Sequence, residues 1–405
     1  MRKLRLLSLF GAVSLAVTLI CMVGILGGRA DEPMGGEVSA ALSPYTVLHS
    51  FAGGPGDAAR PWGSLTLSGT TLYGMSPNGG TTGNGAIFTF DTKKKVETVL
   101  YSFGSAANDG IGPNGSFTLS GTTLYGMTNA GGATNNGTIF MFDTKKKVET
   151  VLYSFGSVAN DGANPCDSLI LSGTTLYGMT NAGGANGYGT IFMFDTKKKV
   201  ETVLYSFGSA ANDGTGPYGS LILSGTTLYG MTPTGGANGN GAIFRINTQG
   251  MEYKVLYSFG DMPDGANPWG SLIRSGTTLY GMTTNGGAND AGTIFEIKTQ
   301  GQEYKVLYSF PGWPDAFDPR GSLILSGSTL YGTTDQGGGA NGYGTIFMFD
   351  TKTNAETVLH VFGSVANDGN YPESGSLTLS GTTLYGKTCW GGANNYGIVF
   401  SYSLK

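Results

Sequence analysis

Seven side chains in this chain are suited to gripping a polar, ring-shaped ligand: Trp62, Tyr218, Trp269, Arg320, Asp335, Gln336 and Trp390. Four of them share one recurring position. Directly after a shared Pro the chain carries, in turn, Trp62, Asn114, Cys166, Tyr218, Trp269, Arg320 and Glu373, while the residues around this position barely change. A variable position inside a repeating frame that collects three large aromatics and an Arg reads as a ring of ligand contacts, built for stacking and hydrogen bonding. A second variable pair precedes each Gly-Gly and reads Asp335-Gln336 and Cys389-Trp390 in the last two units. With Arg320, these residues are expected to form one pocket. Free drift of surface positions would produce the same variation, so the residue types alone leave both readings open.

Other groups with chemical potential read more plainly as structure. Asp57, Asp109, Asp161, Asp213, Asp264, Asp315 and Asp368 recur at equivalent positions, most of them followed by Gly. A ring of carboxylates suggests calcium, but Asn-Asp-Gly is a turn former whose Asp caps its own backbone, and turn chemistry is the expectation. The Gly-Gly pairs, exemplified by Gly183 and Gly184, supply positive φ and have no following helix with which to cradle a phosphate. His49 and His360 are the chain's two histidines. Both stand where other units have Tyr, so they read as packing residues, and a His-based metal site or nucleophile–base pair lacks its parts. A carboxylate pair such as Asp335 with Asp318 or Glu373 has acid–base capacity, but nothing in its spacing singles it out. The residues thus predict no catalytic group, no metal and no cofactor.

The elements that must position these side chains are laid down in repeats. Leu-Tyr-Gly starts at Leu72, Leu124, Leu176, Leu228, Leu279, Leu330 and Leu384, with steps of 52, 52, 52, 51, 51 and 54 residues. A period near fifty, made of short apolar runs and Gly-rich turns without helical spacing, is that of propeller blades. In the third unit, strands are expected at 168–172, 175–180, 190–195 and 200–207, giving one four-stranded antiparallel blade. The runs barely alternate in polarity, as expected when both faces of each sheet pack against neighbours. An isolated fourth strand, 46–51, precedes the first complete unit, and the last unit stops after its third. Pairing these fragments would close a seven-bladed β-propeller over residues 45–405 and leave no open sheet edge.

The string Leu330-Tyr331-Gly332-Thr333-Thr334, then Gly337-Gly338, Gly344-Thr345-Ile346-Phe347 and Val358-Leu359, resembles the GloVer repeat of exported bacterial proteins often called choice-of-anchor tandem repeat proteins. The resemblance spans Tyr45 to Leu404, although most units have Met, as at Met75 and Met127, where the typical repeat has its first Thr. It implies an extracytoplasmic repeat protein, frequently tethered by a carboxyl-terminal sorting segment, and no particular activity. The last strand reaches Lys405, so any anchoring is expected to fall to the amino end.

Bulk properties narrow the partners. The chain has 405 residues, of which 70 are Gly and 12% are charged, and 40% hydrophobic content rules out a disordered chain. A net charge of −4 excludes nucleic acid held through its phosphates. Arg2, Lys3 and Arg5 followed by the apolar run 6–26 read as an export signal over residues 1–30, with a linker at 31–44. The run is long enough to serve instead as an uncleaved anchor, which would be the only contact with a membrane. Cys166 and Cys389 fall on nearly opposite sides of a seven-unit ring and are expected to be free thiols. On the rim away from the variable residues, 93–95, 145–147 and 197–199 are lysine triplets at turns. They read as solvated edge protection, or as a contact for an acidic polymer. Together these features predict an exported, monomeric binding or interaction module, secreted, periplasmic or at the cell surface. A glycan or envelope polymer is the favoured ligand; the alternatives are a structural envelope protein and a propeller hydrolase or lyase.

Overall fold

The computed structural model describes residues 43–373 and 375–404. The export segment and most of the linker expected before residue 45 lie outside this range. Among the described residues there are strands but no helix, and therefore no helix long and apolar enough to cross a membrane. Seven four-stranded antiparallel sheets form the seven blades. Blade 1 comprises Trp62–Ser68, Thr71–Ser76, Ala86–Asp91 and Val96–Ser102. Blade 7 takes its first three strands from Thr378–Ser380, Thr383–Thr388 and Ile398–Ser403, and its fourth from Tyr45–Ser50 at the other end of the chain.

That seam reproduces an ordinary blade in detail. Tyr45 lies opposite Tyr402 and Ser50 opposite Ile398, with a register shift between Val47 and His49. Blade 1 has the same irregularity, since Ile87 faces Tyr101 and Phe88 faces Val99. The strand that arrives from the amino end thus carries the bulge of an in-line fourth strand, as circular closure requires.

The Leu-Tyr-Gly signature has a packing cause. Leu72 is fully buried, and a Cβ on Gly74 would lie 2.3 Å from the ring of Phe88 on the neighbouring strand. The same Gly–Phe approach recurs at Gly126 with Phe140 and at Gly178 with Phe192. The Phe pairs of the third strands are completely buried, each ring contributing about 2–3 kcal/mol by its removal from water. Apolar clusters form between blades: Met75, Ile87 and Phe103 of one unit pack with Leu124, Phe140 and Phe142 of the next. Across the seam, Phe51 and Val399 pack with Phe88 and Phe90.

At the centre the first strands touch through their backbones. A Cβ on Gly63 would lie 2.0 Å from the carbonyl oxygen of Gly115, and one on Gly375 would lie 2.2 Å from that of Gly63, so no side chain fits at these two positions. A chain of backbone-to-hydroxyl bonds runs alongside. Ser64 N–H donates to Ser116 Oγ (2.6 Å), Ser116 to Ser168 (2.9 Å), and Ser376 back to Ser64 (2.7 Å).

The first strands vary in length: they are longer than expected in blades 1 to 3 and shrink to three residues in blades 4 to 7. In blade 3 the strand runs Gly162–Ser172 instead of starting at 168, with irregular register between Cys166 and Ile170. The Asp-Gly connection folds back on the Gly-Gly loop and pairs with it, Gly162 opposite Gly183. Elsewhere the same pairing survives as a two-residue ladder, such as Ala58–Ala59 with Asn78–Gly79. Trp62, Asn114, Cys166 and Trp390 are therefore carried on paired backbone, whereas Tyr218, Trp269 and Arg320 lie outside the strands.

Candidate functional site

The recurring Asp residues do what turn chemistry requires. Asp109 accepts from the N–H groups of Gly110 (2.7 Å) and Ser105 (3.0 Å), and from the Tyr101 hydroxyl (2.8 Å). The Tyr clamp repeats at Asp161, Asp213 and Asp264, so these carboxylates lock the fourth strand to its outgoing loop.

A concavity opens on the rim that carries the variable positions. It has a volume of about 470 Å³ and gathers Trp62, Tyr218 and Trp390 with Asn78, Asn114 and Asn129. Arg60, Cys389 and Glu373 complete much of the wall. The Arg60 guanidinium lies 3.8 Å above the Trp390 ring, and its buried Nε has no hydrogen-bond partner. Arg60 has φ 52°, and the equivalent residues Gly112, Asn164, Gly216, Asn267, Asp318 and Tyr371 are all left-handed as well. Gly, Asn and Asp tolerate that conformation, whereas Arg60 and Tyr371 are bulky departures of the kind concentrated at functional sites.

The other expected site residues part company. Trp269 packs on Tyr218 with tilted rings whose centroids are 4.5 Å apart, and is not among the residues lining the cavity. Arg320 is held by Asp318, with Nη2 at 2.9 Å and Nε at 3.1 Å from Oδ2, and the Gln336 amide donates to the same oxygen at 3.0 Å. Asp335 lies 3.8 Å from Arg320 Nε. Burial outweighs that guanidinium and pushes the Asp335 carboxyl up to about 7. Its Oδ1 has no partner. Arg320, Asp335 and Gln336 therefore form an ion-paired cluster with Asp318 instead of sharing the wall with Trp390. Glu373, raised by burial, is shared between the two regions: it lines the cavity and acts on both Arg320 and Asp335.

Two residues beneath the rim escaped the sequence reading. Lys387 stands where five units have Met and one has Thr. It is buried, donates to the carbonyls of Trp62 and Met75, and is pushed down to about 7 by desolvation. Asp167 is the one departure from the central glycine position held by Gly63, Gly115, Gly219, Gly270, Gly321 and Gly375. Its φ is 55° and its carboxylate accepts from Ser168 Oγ (2.8 Å) and, two blades on, from Ser271 Oγ (3.2 Å). Both are visible as breaks in an aligned column.

Cys166 and Cys389 are free thiols, as expected, and both are buried, with Cys166 Sγ donating to the Pro217 carbonyl at 3.0 Å. The lysine turns are exposed. Each is organised by an Asp, with Lys94 Nζ 3.9 Å from Asp91 and Lys146 Nζ 3.9 Å from Asp143.

The two histidines differ. His360 stacks on Tyr45 at 3.5 Å and bonds Asp368 at 3.0 Å. His49 packs edge-on against Phe51 at 4.8 Å, but its Nε2 is buried without a partner, 4.0 Å from Asp57. Glu97 joins them, so that the fold assembles a His–Asp–Glu group whose donor atoms lie within 4.8 Å of one another. Sequence spacing paired neither histidine with such ligands.

Comparison with known proteins agrees with the architecture. The family model described as the Gloeobacter/Verrucomicrobia repeat matches residues 37–234 and 209–400. No curated protein is significantly similar in sequence. Among solved structures, an oligogalacturonate lyase in complex with manganese superposes with a TM-score of 0.55 at 13% identity, over 89% of this chain and 91% of that one. The oligogalacturonate lyase of Vibrio parahaemolyticus gives 0.53 at 11% identity, over 89% and 93%. The extracellular domain of a hybrid two-component system from B. thetaiotaomicron gives 0.58 at 10% identity, over 88% of this chain and 39% of that one. At such identities the likeness is one of fold.

Proposed function

The chain belongs to the Gloeobacter/Verrucomicrobia repeat family, and on that premise we propose that it is an extracytoplasmic binding module whose ligand is a neutral glycan seated in the blade 7–blade 1 cavity. The observation that carries this reading is the composition of the cavity lining: Trp62, Tyr218 and Trp390 beside the amides of Asn78, Asn114 and Asn129, contributed by blades 1, 2, 4 and 7, around a space of about 470 Å³. Aromatic faces suit the C–H faces of a sugar, amides suit its hydroxyls, and the volume lies in the range of small-ligand sites. The Arg60 guanidinium, stacked on Trp390, adds a charged donor group to the same lining. An outside location is supported by the basic and apolar amino-terminal sequence and by propeller neighbours that are extracellular domains.

A glycan array followed by calorimetry on the hits tests the proposal. Binding should fall at least tenfold in Trp62→Ala and in Trp390→Ala, with melting temperatures close to wild type. Hits unaffected by either change, or none across neutral and acidic panels, would remove the glycan reading and favour a structural envelope role. Turnover of a bound oligosaccharide that disappears in Asp335→Asn would instead favour a hydrolase or lyase.

A further inference from the structure

At five of the outer junctions between blades a Tyr hydroxyl donates to the loop Asp from one strand or the other, and the junction of blades 7 and 1 has a Tyr at neither position. The loop Asp of each unit faces a residue on the fourth strand of the next blade: Glu97, Glu149, Glu201, Tyr253, Tyr304, Glu356 or Tyr45. Where that residue is Tyr253 or Tyr45, its hydroxyl donates to the carboxylate of Asp213 or Asp368. Where it is Glu149 or Glu201, the Tyr of the preceding strand still donates, Tyr101 to Asp109 and Tyr153 to Asp161, both at 2.8 Å. At the junction of blades 7 and 1 neither donor is present. His49 replaces the Tyr and its Nε2 is closed off from solvent without a hydrogen-bond partner, while Glu97 faces Asp57 with an unpartnered Oε1 that Glu149, Glu201 and Glu356 share; among the described residues Asp57 accepts only from the backbone N–H groups of Ala52 and Ala58.

We propose that His49, Asp57 and Glu97 form a site for a first-row divalent transition ion, with zinc as the best-fitting member. One imidazole nitrogen and two carboxylate oxygens are a zinc-type donor set, and water would fill the fourth position. The donor atoms, now within 4.8 Å of one another, would need to close to about 3.3 Å, the edge of a tetrahedron with bonds of roughly 2.0–2.1 Å. Rotations of side chains that remain partly exposed supply that movement, His49 being 24% and Asp57 19% accessible. The place of the site in the ring gives it a purpose. Its ligands come from the seam strand, the loop that follows it and the last strand of blade 1, so the ion would pin the amino-terminal strand where circular closure depends on it. His360 has no such vacancy, since Asp368 and Tyr45 already engage it.

The test uses the full chain without an affinity tag, stripped with EDTA and titrated with zinc chloride by calorimetry. One ion per chain should bind with micromolar or tighter affinity. His49→Tyr, which restores the residue of the sister junctions, and Glu97→Gln should each weaken binding at least tenfold, whereas Glu149→Gln should not change it. A readout on the unmutated protein stands beside the variants. The chain has two histidines, and in imidazole NMR spectra zinc should shift the His49 resonances and leave those of His360 in place. No binding up to millimolar zinc, an equal shift of both rings, or affinity indifferent to His49→Tyr would overturn the proposal.

Discussion

Two stretches of the same rim carry chemically rich side chains, yet only one of them is open for business with a ligand. Around blades 7 and 1, Trp62, Trp390 and Arg60 border a cavity of about 470 Å³. Around blades 5 and 6, Arg320 is occupied by Asp318 at 2.9 Å and Gln336 by the same carboxylate at 3.0 Å. Residue type alone would rate the second stretch at least as highly, having more charge and more donors. Side chains that satisfy one another offer less to a ligand than unpaired ones, because an incoming group must first replace a bond already made. What separates the two stretches is the residue two positions before the variable one: Asp318 in blade 6 pairs with its own Arg, whereas Arg60 in blade 1 stacks on a Trp from the neighbouring unit.

The largest expected effect pulls the two regions apart by binding. Trp390→Ala should reduce affinity for any glycan hit by tenfold or more, while Arg320→Ala should alter it by less than about twofold. The next effect reverses the order. Arg320→Ala leaves Asp318 and Asp335 facing each other without their cation and should cost about 1–2 kcal/mol, allowing for the partial exposure of the pair, read as a fall of a few degrees in melting temperature. Trp390→Ala should cost less. If Arg320→Ala abolished binding and left stability intact, the division of the rim would be mistaken.

Titration sharpens the comparison further. Lys387, under the open stretch, is pushed from its ordinary 10.5 down to about 7. Between those values the unfolded chain holds more protons than the folded one, so this residue makes stability rise with pH through the window and costs most below pH 7. Lys387→Met, the residue of five other units, should raise the melting temperature at pH 6 and flatten that part of the profile. At the outer junctions Glu149 and Glu201 run the other way. Burial and the facing Asp raise each from 4.5 to about 8, so the folded chain keeps a proton the unfolded chain releases, and stability falls as pH rises between those values. Glu149→Gln with Glu201→Gln should gain on the order of 1–3 °C at pH 9 and nothing at pH 4. The smallest effect belongs to the far rim: Lys146→Gln removes one exposed 3.9 Å pair with Asp143 and should change neither stability nor glycan binding.

Most of the fold was legible in the sequence because blade packing is repetitive. Each Leu-Tyr-Gly needs its Gly beneath a Phe, and the stray strand at 46–51 matched the one missing from the last unit. The site was legible as a set of positions but not as a set of partners. Trp62, Tyr218 and Trp390 do line one space, while Arg320 and Trp390 do not meet there, since pairing within a unit competes with pairing across a junction and repeat spacing weighs neither. Arg60, Asp167 and Lys387 were available as departures from their columns. The junction of His49 with Glu97 was not, because it joins strands of different blades across the seam.

The most direct measurement is indole NMR on the four tryptophans, Trp62, Trp269, Trp313 and Trp390, during titration with a mixed panel of neutral oligosaccharides. A ligand in the blade 7–blade 1 cavity should move the Trp62 and Trp390 indole signals together, move Trp269 less through Tyr218, and leave Trp313 unchanged. Movement centred on Trp269 with Trp62 and Trp390 still would place the ligand on the Arg320 side and contradict the account.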